Sequence, residues 1–286
     1  MVGILEKRDK LFPEKVRIFT PDVDRLYYEG NLELLKKTAV AVVGSRKCTP
    51  YGRKISGEIG KKLGNAGITV VSGLARGIDT ESHIGAVNTP GKTIAVVAGG
   101  TDQFYPPENR DLQRKIADEG LLLSLKPPGY KCRPFDFPIR NKVISAISDS
   151  VVIVEATSRS GALITAECAM EHGKDVYALP GNITSIYSFG TNTLIKEGAI
   201  PLVVVDDLLR DFGKNVYINV EKNLNLGNDE TLVIDVLREY GEMTIEEIYH
   251  KTNIHPLDLN GIMTVLEIKG IVFSAMGKFF VANFKE

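Results

Sequence analysis

The chain has 286 residues, of which 43% are hydrophobic and 25% charged, and its formal net charge is −1. That length allows one large domain and a small one. The near-neutral balance excludes a uniformly basic nucleic-acid-binding protein, so charge must be compared between segments. No apolar run approaches a membrane span, and the first ten residues lack the apolar core of a signal peptide. We therefore expect a cytoplasmic protein with no membrane partner.

Residues 1–38 mix turn signals with two tyrosines in the stretch PDVDRLYYEGN, and we expect an N-terminal extension packed on the core. The cysteines Cys48, Cys132 and Cys168 are far apart, and no CxxC or CxxH pair occurs. This spacing argues against a disulfide framework or a zinc site. The sequence predicts no metal and no cofactor.

Apolar runs alternate with amphipathic segments over residues 39–212. Runs this rich in Val, Ile, Leu and Ala are typical of parallel strands buried on both faces. The alternation predicts an α/β fold, an extended Rossmann-like parallel sheet with helices on both faces. The predicted strands are Ala39–Gly44, Ile68–Gly73, Thr93–Gly100, Gly120–Leu125, Ser150–Ala156, Asp175–Gly181 and Pro201–Val205, and the helices between them include Tyr51–Asn65, Ala162–His172 and Asn192–Glu197.

The Asn-rich segment 213–228 breaks this pattern and is predicted to be a linker. Residues 229–286 follow as a small winged-helix domain, with three helices and a hairpin. The predicted elements are Asp229–Tyr240, Thr244–Lys251, Pro256–Lys269 and the strand segments IVFSA and KFFVA. Thr244 and Glu247 have the spacing of a capping box.

Six predicted strands are followed by loops that share glycine or small polar residues, and most of them carry Arg or Lys. Ligands bind beyond the carboxyl ends of strands in open parallel sheets, where backbone N–H groups and helix N-termini can hold an anion. The loops therefore predict a ligand that carries phosphate, although each glycine taken singly fits a tight turn equally well. The loops are residues 44–46, 72–79, 99–110, 126–142, 155–167 and 180–183.

The first of these loops reads GSRKCT, with Arg46 where a dinucleotide fingerprint requires its second glycine. A side chain at that position occupies the space that the backbone needs to reach a pyrophosphate. The P-loop pattern is also absent from the sequence, so NAD and ATP are both disfavoured. A nucleotide held by arginine and amides, and a polynucleotide running across several loops, remain open.

Charge is unevenly distributed along the chain. Residues 39–212 contain 20 Lys and Arg against 18 Asp and Glu, and residues 126–142 contain five basic residues against Asp136. The same loop carries Tyr130, Phe135 and Phe137, and cations interleaved with aromatic rings suit a single nucleic-acid strand. The alternative is that the two phenylalanines anchor the loop in the core.

Residues 229–286 have the opposite balance, with five basic and ten acidic residues. The expected recognition helix, PLDLNGIMTVLEIKG, contains one Lys and no Arg. Because Lys and Arg supply most of the affinity for the DNA backbone, we expect this domain to serve protein contacts.

Catalysis has weak support in the sequence. A Ser/His/Asp set involving Asp79 and His83 is possible from spacing, but we expect Asp79 to cap a helix and His83 to make a structural hydrogen bond. Glu155 and Glu167 flank the Ser160–Gly161 turn and are the best candidates for an enzymatic carboxylate.

Several motifs resemble the DNA-processing protein A family, also called Smf, nearly continuously over residues 39–200. They are VAVVGSRKCTPYG, VVSGLARGIDTESHIGA, TIAVVAGGTDQFYPPEN, FPIRNKVISAISDSVVIVEA, SRSGALITAECAMEHGKDVYALPGNI and GTNTLIKEGA. The resemblance implies a protein that binds single-stranded DNA, protects incoming DNA during natural transformation and loads the RecA recombinase. It also implies a homodimer and no enzymatic activity.

The resemblance places a DNA groove on four stretches of the chain. Arg46 is expected to contact phosphate, the SGLARG and RNK motifs to form two walls, Phe137 to stack on a base, and residues near position 160 to lie at a helix N-terminus. The DNA-binding residues it implies are Gly44, Ser45, Arg46, Ser72, Gly73, Arg76, Phe137, Arg140, Asn141, Lys142, Ser160, Gly161 and Thr165.

The family usually has glutamate in the pattern SE-x-P-P-G, but this chain reads Ser124-Leu125-Lys126-Pro127-Pro128-Gly129, and Ser82 stands where alanine is common. The first departure changes the local charge in favour of phosphate. The helical domain that precedes the sheet in many members is expected to be largely absent.

An alternative function is a nucleotide-processing hydrolase of the lysine-decarboxylase-like Rossmann class, because SGALITAE is similar to the glycine turn and glutamate of that class. Ser160 and Ala162 replace two of its glycines. A transcription factor that uses its winged helix is a third interpretation, which the acidity of that domain disfavours.

Overall fold

The computed structural model describes residues 2–213, 227–268, 271–275 and 277–281. The chain divides into two compact units, Met1–Asn215 and Val216–Glu286. Most of the predicted linker, 213–228, lies outside the described residues. No helix in the described ranges is long and apolar enough to cross a membrane.

The first unit contains a nine-stranded, mostly parallel sheet with helices on both faces, which confirms the predicted α/β class. Its strands are β1 (Gly3–Glu6), β2 (Arg25–Gly30), β3 (Ala39–Val43), β4 (Thr69–Ser72), β5 (Thr93–Val97), β6 (Leu121–Ser124), β7 (Ser150–Ile153), β8 (Asp175–Ala178) and β9 (Ile200–Pro201). Its α-helices are α1 (Glu14–Phe19), α2 (Pro50–Asn65), α3 (Ile78–Val87), α4 (Arg110–Glu119), α5 (Asp136–Ile147), α6 (Gly161–Glu171), α7 (Phe189–Lys196) and α8 (Val205–Asp211).

The strand order is β1-β2-β6-β5-β4-β3-β7-β8-β9. The chain runs outward from β3 in one direction through β4 to β6, and then in the other direction through β7 to β9. The order therefore reverses between β3 and β7, which pair in parallel. A crevice opens beyond the carboxyl ends of the strands at such a reversal, and ligands bind there in open α/β sheets.

Alternation along β5 illustrates why the sheet is buried on both faces. Ile94 and Val96 belong to the apolar cluster that includes residues of α1, α5 and α6. Ala95 and Val97 belong to a second cluster, with residues of α3 and α4. Because successive side chains of a strand point to opposite faces, a continuous apolar run supplies both layers.

Two parts of the sheet differ from expectation. The N-terminal residues, expected as an extension packed on the core, contribute two strands to the sheet. β1 pairs antiparallel with β2, and β2 pairs antiparallel with β6. The strand predicted at Pro201–Val205 is wrong beyond its first residue. Only Ile200–Pro201 pairs with β8, and Val205 begins α8, because Asp206 and Asp207 favour a first helical turn.

The second unit contains three helices and a two-stranded antiparallel hairpin within its described residues. These elements are α9 (Asn228–Tyr240), α10 (Ile245–Thr252), α11 (Pro256–Ile268), β10 (Val272–Ala275) and β11 (Lys278–Val281). The predicted capping box is confirmed: Thr244 N–H donates to Glu247 Oε2 at 2.7 Å, and Glu247 N–H donates to Thr244 Oγ1 at 3.3 Å.

Candidate nucleic-acid interface

A cleft of about 770 Å³ opens at the strand-order reversal between β3 and β7. The loop after β3 and the loop after β7 are joined there by a 2.7 Å hydrogen bond from Ser45 N–H to the Glu155 carbonyl. The cleft brings together nine of the residues that the sequence implicated. They are Gly44, Ser45, Arg46, Phe137, Arg140, Asn141, Ser160, Gly161 and Thr165.

The charge on the cleft wall is strongly unbalanced. Four cationic side chains line it: Arg46, Lys47, Arg140 and Arg159. The acidic residue of the wall is Asp79, which is buried beside Arg140. Because the cleft also includes the N-terminus of α6 at Gly161, its surface attracts anions.

Aromatic rings lie among these cations. The Arg46 guanidinium carbon is 4.8 Å from the ring centroid of Phe137, and the Arg140 carbon is 5.9 Å from it. Tyr105, which is 46% exposed, packs on the same ring with centroids 5.6 Å apart. Phe137 is half-buried. It therefore forms part of the cleft wall instead of anchoring its loop wholly in the core.

Arg140 is 4% exposed and lies beneath the cleft. Its Nη1 is 3.9 Å from Asp79 Oδ2. A Cβ atom on Gly73 would lie 1.2 Å from Nη1, so only glycine leaves room for the guanidinium. Burial lowers the pKa of Arg140 to about 10, which leaves the side chain protonated at neutral pH. Arg140 is thus a buried cation that packs against the ring of Phe137.

Asp79 holds the loop between β4 and α3. Its Oδ2 accepts hydrogen bonds from the N–H groups of Gly73, at 3.2 Å, and Ala75, at 3.4 Å. Burial raises the pKa of Asp79, although Arg140 and these N–H groups oppose the shift. The prediction that Asp79 caps α3 is wrong: Gly77 is the N-cap residue and makes no side-chain cap bond.

His83 makes the expected structural hydrogen bond. It is fully buried, and its Nδ1 lies 2.7 Å from Thr93 Oγ1, which donates its own proton to the Val70 carbonyl. Nδ1 must therefore carry the imidazole proton, since Thr93 can only accept. Burial lowers the pKa of His83 to about 3, so the ring is neutral at physiological pH.

The two candidate carboxylates are not brought together in the cleft. Glu155 is buried and accepts hydrogen bonds from Thr49, from N–H at 2.8 Å and from Oγ1 at 2.5 Å. This fixes the start of α2. Glu167 is exposed on α6 and is not among the cleft-lining residues.

Four of the implicated residues lie outside the cleft lining. Gly73 and Arg76 line a smaller adjoining pocket that shares Arg46, Phe137 and Arg140 with the cleft. Arg76 is exposed but ion-paired, with Nη2 3.0 Å from Glu108 Oε2. Ser72 is fully buried and donates to the Val42 carbonyl at 2.7 Å. Lys142 is exposed on α5 and lines neither pocket.

The glycines of the loops serve packing more than ligand approach. A Cβ on Gly44 would lie 2.7 Å from Ile78, and a Cβ on Gly77 would lie 2.4 Å from the Ser45 carbonyl. Gly161 differs, because its Cβ would meet no described atom within 4 Å. Among these three, Gly161 is the one that faces open space in the cleft.

Lys126 does not present its charge to a ligand as its position suggested. Its Nζ lies 3.1 Å from Asp136 Oδ1. Burial raises the pKa of Asp136, but the Arg133 N–H and Lys126 outweigh it and hold that pKa below its usual value. Asp136 thus holds the loop before α5 through its contacts with the Arg133 N–H and with Lys126.

The family model for DNA recombination-mediator protein A matches residues 3–213, which is most of the chain. The chain belongs to this family. The match spans β1 to α8 and therefore includes every residue of the cleft.

Relatives and solved structures agree with that assignment. The chain is 46% identical over 187 residues to DNA processing protein DprA of Streptococcus pneumoniae, across 65% of this chain and 66% of the relative. It is 38% identical to DprA of Bacillus subtilis over 65% of this chain and 63% of the relative. The chain thus matches slightly less than two thirds of the length of these relatives.

Comparisons with two solved structures each cover about three quarters of this chain. The S. pneumoniae DprA structure has a TM-score of 0.70 at 42% identity, covering 73% of this chain and 74% of that one. A structure of DNA processing protein A from Helicobacter pylori, described for its single-stranded DNA binding mode, has a TM-score of 0.66 at 28% identity and covers 75% and 96% of the two chains.

The structure also reveals cleft residues that sequence reasoning missed. Lys47 and Arg159 add two cations, and Tyr187 and the 67% exposed Ile186 add an apolar side. Lys47 follows Arg46 directly, and Arg159 precedes the N-cap of α6, so a second basic residue within two of the family motifs was the available signal. The contribution of Ile186 has no local signal, because it depends on the loop after β8 folding over the cleft.

Proposed function

We propose that the cleft binds single-stranded DNA. The observation that carries this proposal is the set of four cations around a cleft of about 770 Å³ whose single lining acid is already paired with Arg140. Lys and Arg supply most of the affinity for a nucleic-acid backbone. The family's DNA-processing role and the H. pylori relative's single-stranded DNA binding support the same ligand.

The rings in the cleft favour an unpaired strand over a duplex. Phe137, Tyr105 and Tyr187 supply aromatic surface next to the cations, and Ile186 supplies aliphatic surface. Bases can stack on such side chains only when they are not already stacked inside a double helix. Arg46, held against Phe137, can reach phosphate while the ring contacts a base.

We further propose that the protein works as a homodimer in the cytoplasm, protects incoming DNA during transformation and delivers it to a RecA recombinase. Binding without catalysis is the simpler assignment, because Glu155 is engaged with Thr49 and His83 is buried with Thr93. The hydrolase alternative needs a free carboxylate near the Ser160 turn.

Nuclease protection tests this role. Full-length protein should lengthen the lifetime of a labelled single strand in the presence of an exonuclease, and Arg46→Ala with Arg159→Ala should remove most of the protection. Lys10→Ser with Lys61→Ser, two exposed cations outside the cleft, is the matched control. Equal protection by both double variants would contradict the cleft as the binding site, and nucleotide turnover by the same samples would favour the hydrolase.

We propose that the second unit is a winged helix used for protein contacts. Its sequence from 229 to 286 has five basic and ten acidic residues. Leu257 and Ile268, at the two ends of α11, are 77% and 83% exposed, which suits a protein partner better than a DNA groove. Replacing both with serine should weaken delivery of DNA to the recombinase and leave DNA affinity unchanged; the reverse pattern would contradict this role.

A further inference from the structure

A second cationic surface lies beside the cleft on α4 and the loop that precedes it. The guanidinium carbons of Arg110 and Arg114 are 5.0 Å and 5.4 Å from the ring centroid of Phe104. The two arginines are one helical turn apart, so they lie on the same face of α4. We refer to Phe104, Arg110 and Arg114 as the Phe104 patch.

The arginines of this patch are not engaged in ion pairs within the described part of the chain. Neither Arg110 nor Arg114 makes an ion pair there, and both are exposed. The acids nearest to them in the helix sequence, Asp111 and Asp118, are also exposed and make no ion pair with them. Arg76 provides the contrast, since Glu108 neutralises it. Two like charges held against one ring repel each other, and an anion between them relieves that repulsion.

The patch is joined to the cleft by a fixed segment. Tyr105 lines the cleft and packs on Phe137, and Phe104 is its neighbour in the chain. Gln113 of α4 donates from Nε2 to the carbonyls of Thr101, at 2.8 Å, and Gln103, at 3.1 Å. Consecutive Cα atoms are about 3.8 Å apart, so the patch begins within a few nucleotides of the cleft wall.

Stacking on Phe104 holds the two guanidinium groups in an orientation that suits phosphate binding. A guanidinium that lies over a ring keeps its N–H edges available, and it is already partly ordered before a ligand arrives. Its planar fork matches two oxygens of a phosphate. The pair spans one turn of helix, which suits successive phosphates of a flexible strand.

We propose that the Phe104 patch is an extension of the DNA path, where the phosphates of a single strand leaving the cleft bind Arg110 and Arg114. This inference rests on the proposed function of the cleft. It adds that strands long enough to reach the patch bind more tightly, and with a steeper salt dependence, than strands that fill only the cleft.

Binding of a length series of oligothymidylates to full-length protein tests the inference. Arg110→Ser with Arg114→Ser should weaken binding of a strand of about 20 nucleotides by about tenfold and reduce its salt slope by about 1.4, because each single-strand phosphate contact contributes about 0.7. Binding of a strand of about five nucleotides should not change. Arg110→Lys with Arg114→Lys should retain most of the slope and lose part of the affinity, because lysine keeps the charge without the planar fork.

Lys10→Ser with Lys61→Ser removes the same charge elsewhere and should leave both strand lengths unaffected. Thermal unfolding should be the same for all these variants, since the side chains are exposed. An equal loss for short and long strands, or a long-strand loss no larger than that of the control, overturns the inference. Failure of the wild-type protein to bind either length overturns the proposed function itself, and the two failures are therefore distinguishable.

Discussion

The cleft of the first unit and helix α11 of the second unit are both places where a nucleic-acid contact could be expected from the fold, but their chemistry is opposite. The cleft is lined by four cations and one buried, paired acid. The sequence of α11 from Pro256 to Ile268 contains two acids and no cation, and its exposed side chains include Leu257 and Ile268.

A fold by itself therefore does not locate DNA binding. Lys and Arg side chains that contact the DNA phosphates supply much of the affinity of a recognition helix, and α11 contains neither residue. The sheet has them on loops that its strand-order reversal brings together. Affinity for DNA should therefore reside in the first unit.

The largest effect is expected at the glycine beneath the cleft. Gly73→Ala places a Cβ 1.2 Å from Arg140 Nη1, which must move away from Asp79. Overpacking of this kind costs about 1–3 kcal/mol, so the free energy of unfolding in urea should fall by that amount and single-strand affinity should fall with it. Gly161→Ala is the matched control, because its Cβ meets open space, and it should be nearly neutral for stability.

Protonation of His83 should make the first unit sensitive to acid. Its pKa is about 3 in the folded state and about 6.5 when unfolded, so the unfolded chain binds more protons between these values and stability falls as pH decreases. At pH 5 the loss is about 2 kcal/mol relative to pH 8. His83→Gln should remove this component from urea unfolding measured across pH. His255→Gln, at an exposed position of the second unit, should retain it, and identical pH profiles for wild type and His83→Gln would contradict the assignment.

Arg46→Ala should weaken single-strand binding by about five- to tenfold and lower the salt slope by about 0.7, because it removes one exposed phosphate contact. Fluorescence anisotropy with a labelled oligonucleotide measures both. Lys142→Ala sharpens the result, since Lys142 belongs to the RNK motif but lines neither pocket. A smaller effect at Lys142 assigns binding to the cleft, whereas a larger one assigns it to the outer face of α5.

The smallest effect is expected from removal of residues 229–286. If the second unit serves protein contacts, single-strand affinity should change by less than about threefold. A thermal melt should first establish that the remaining chain is folded. Loss of DNA binding by a folded truncated protein would reverse the division between the two units.

The sequence predicted the sheet well where burial on both faces dictated the residues. The runs Ala39–Val43 and Ser150–Ile153 are almost wholly apolar, with Ser150 the exception, and every residue in them is buried between two helical layers. The short strands β1 and β2 were not predicted, because GILE and RLYYEG mix polar and apolar residues. The apolar run after Ile200 led to a wrong strand prediction. Its last residue, Val205, begins α8, whose first turn contains Asp206 and Asp207.

The site was only partly predictable. That Arg46 and Arg140 meet at one cleft follows from the rule for carboxyl ends of parallel strands. Whether a cation is free does not follow from local sequence. Arg76 is neutralised by Glu108, 32 residues away, and Lys126 is held by Asp136. The burial of Arg140 against Gly73 also could not be predicted from the sequence, because α5 and the loop after β4 are far apart along the chain.

The central claim is that the cleft selects an unpaired strand. Equilibrium binding of the full-length protein to a single-stranded and a duplex oligonucleotide of the same sequence, across a salt titration, tests it most directly. We predict at least tenfold tighter binding of the single strand. For a strand that fills only the cleft, the slope of the logarithm of the binding constant against the logarithm of salt should be about −2, as expected for contacts from the three exposed cations. Equal affinity for the duplex, or binding that does not weaken with salt, would contradict it.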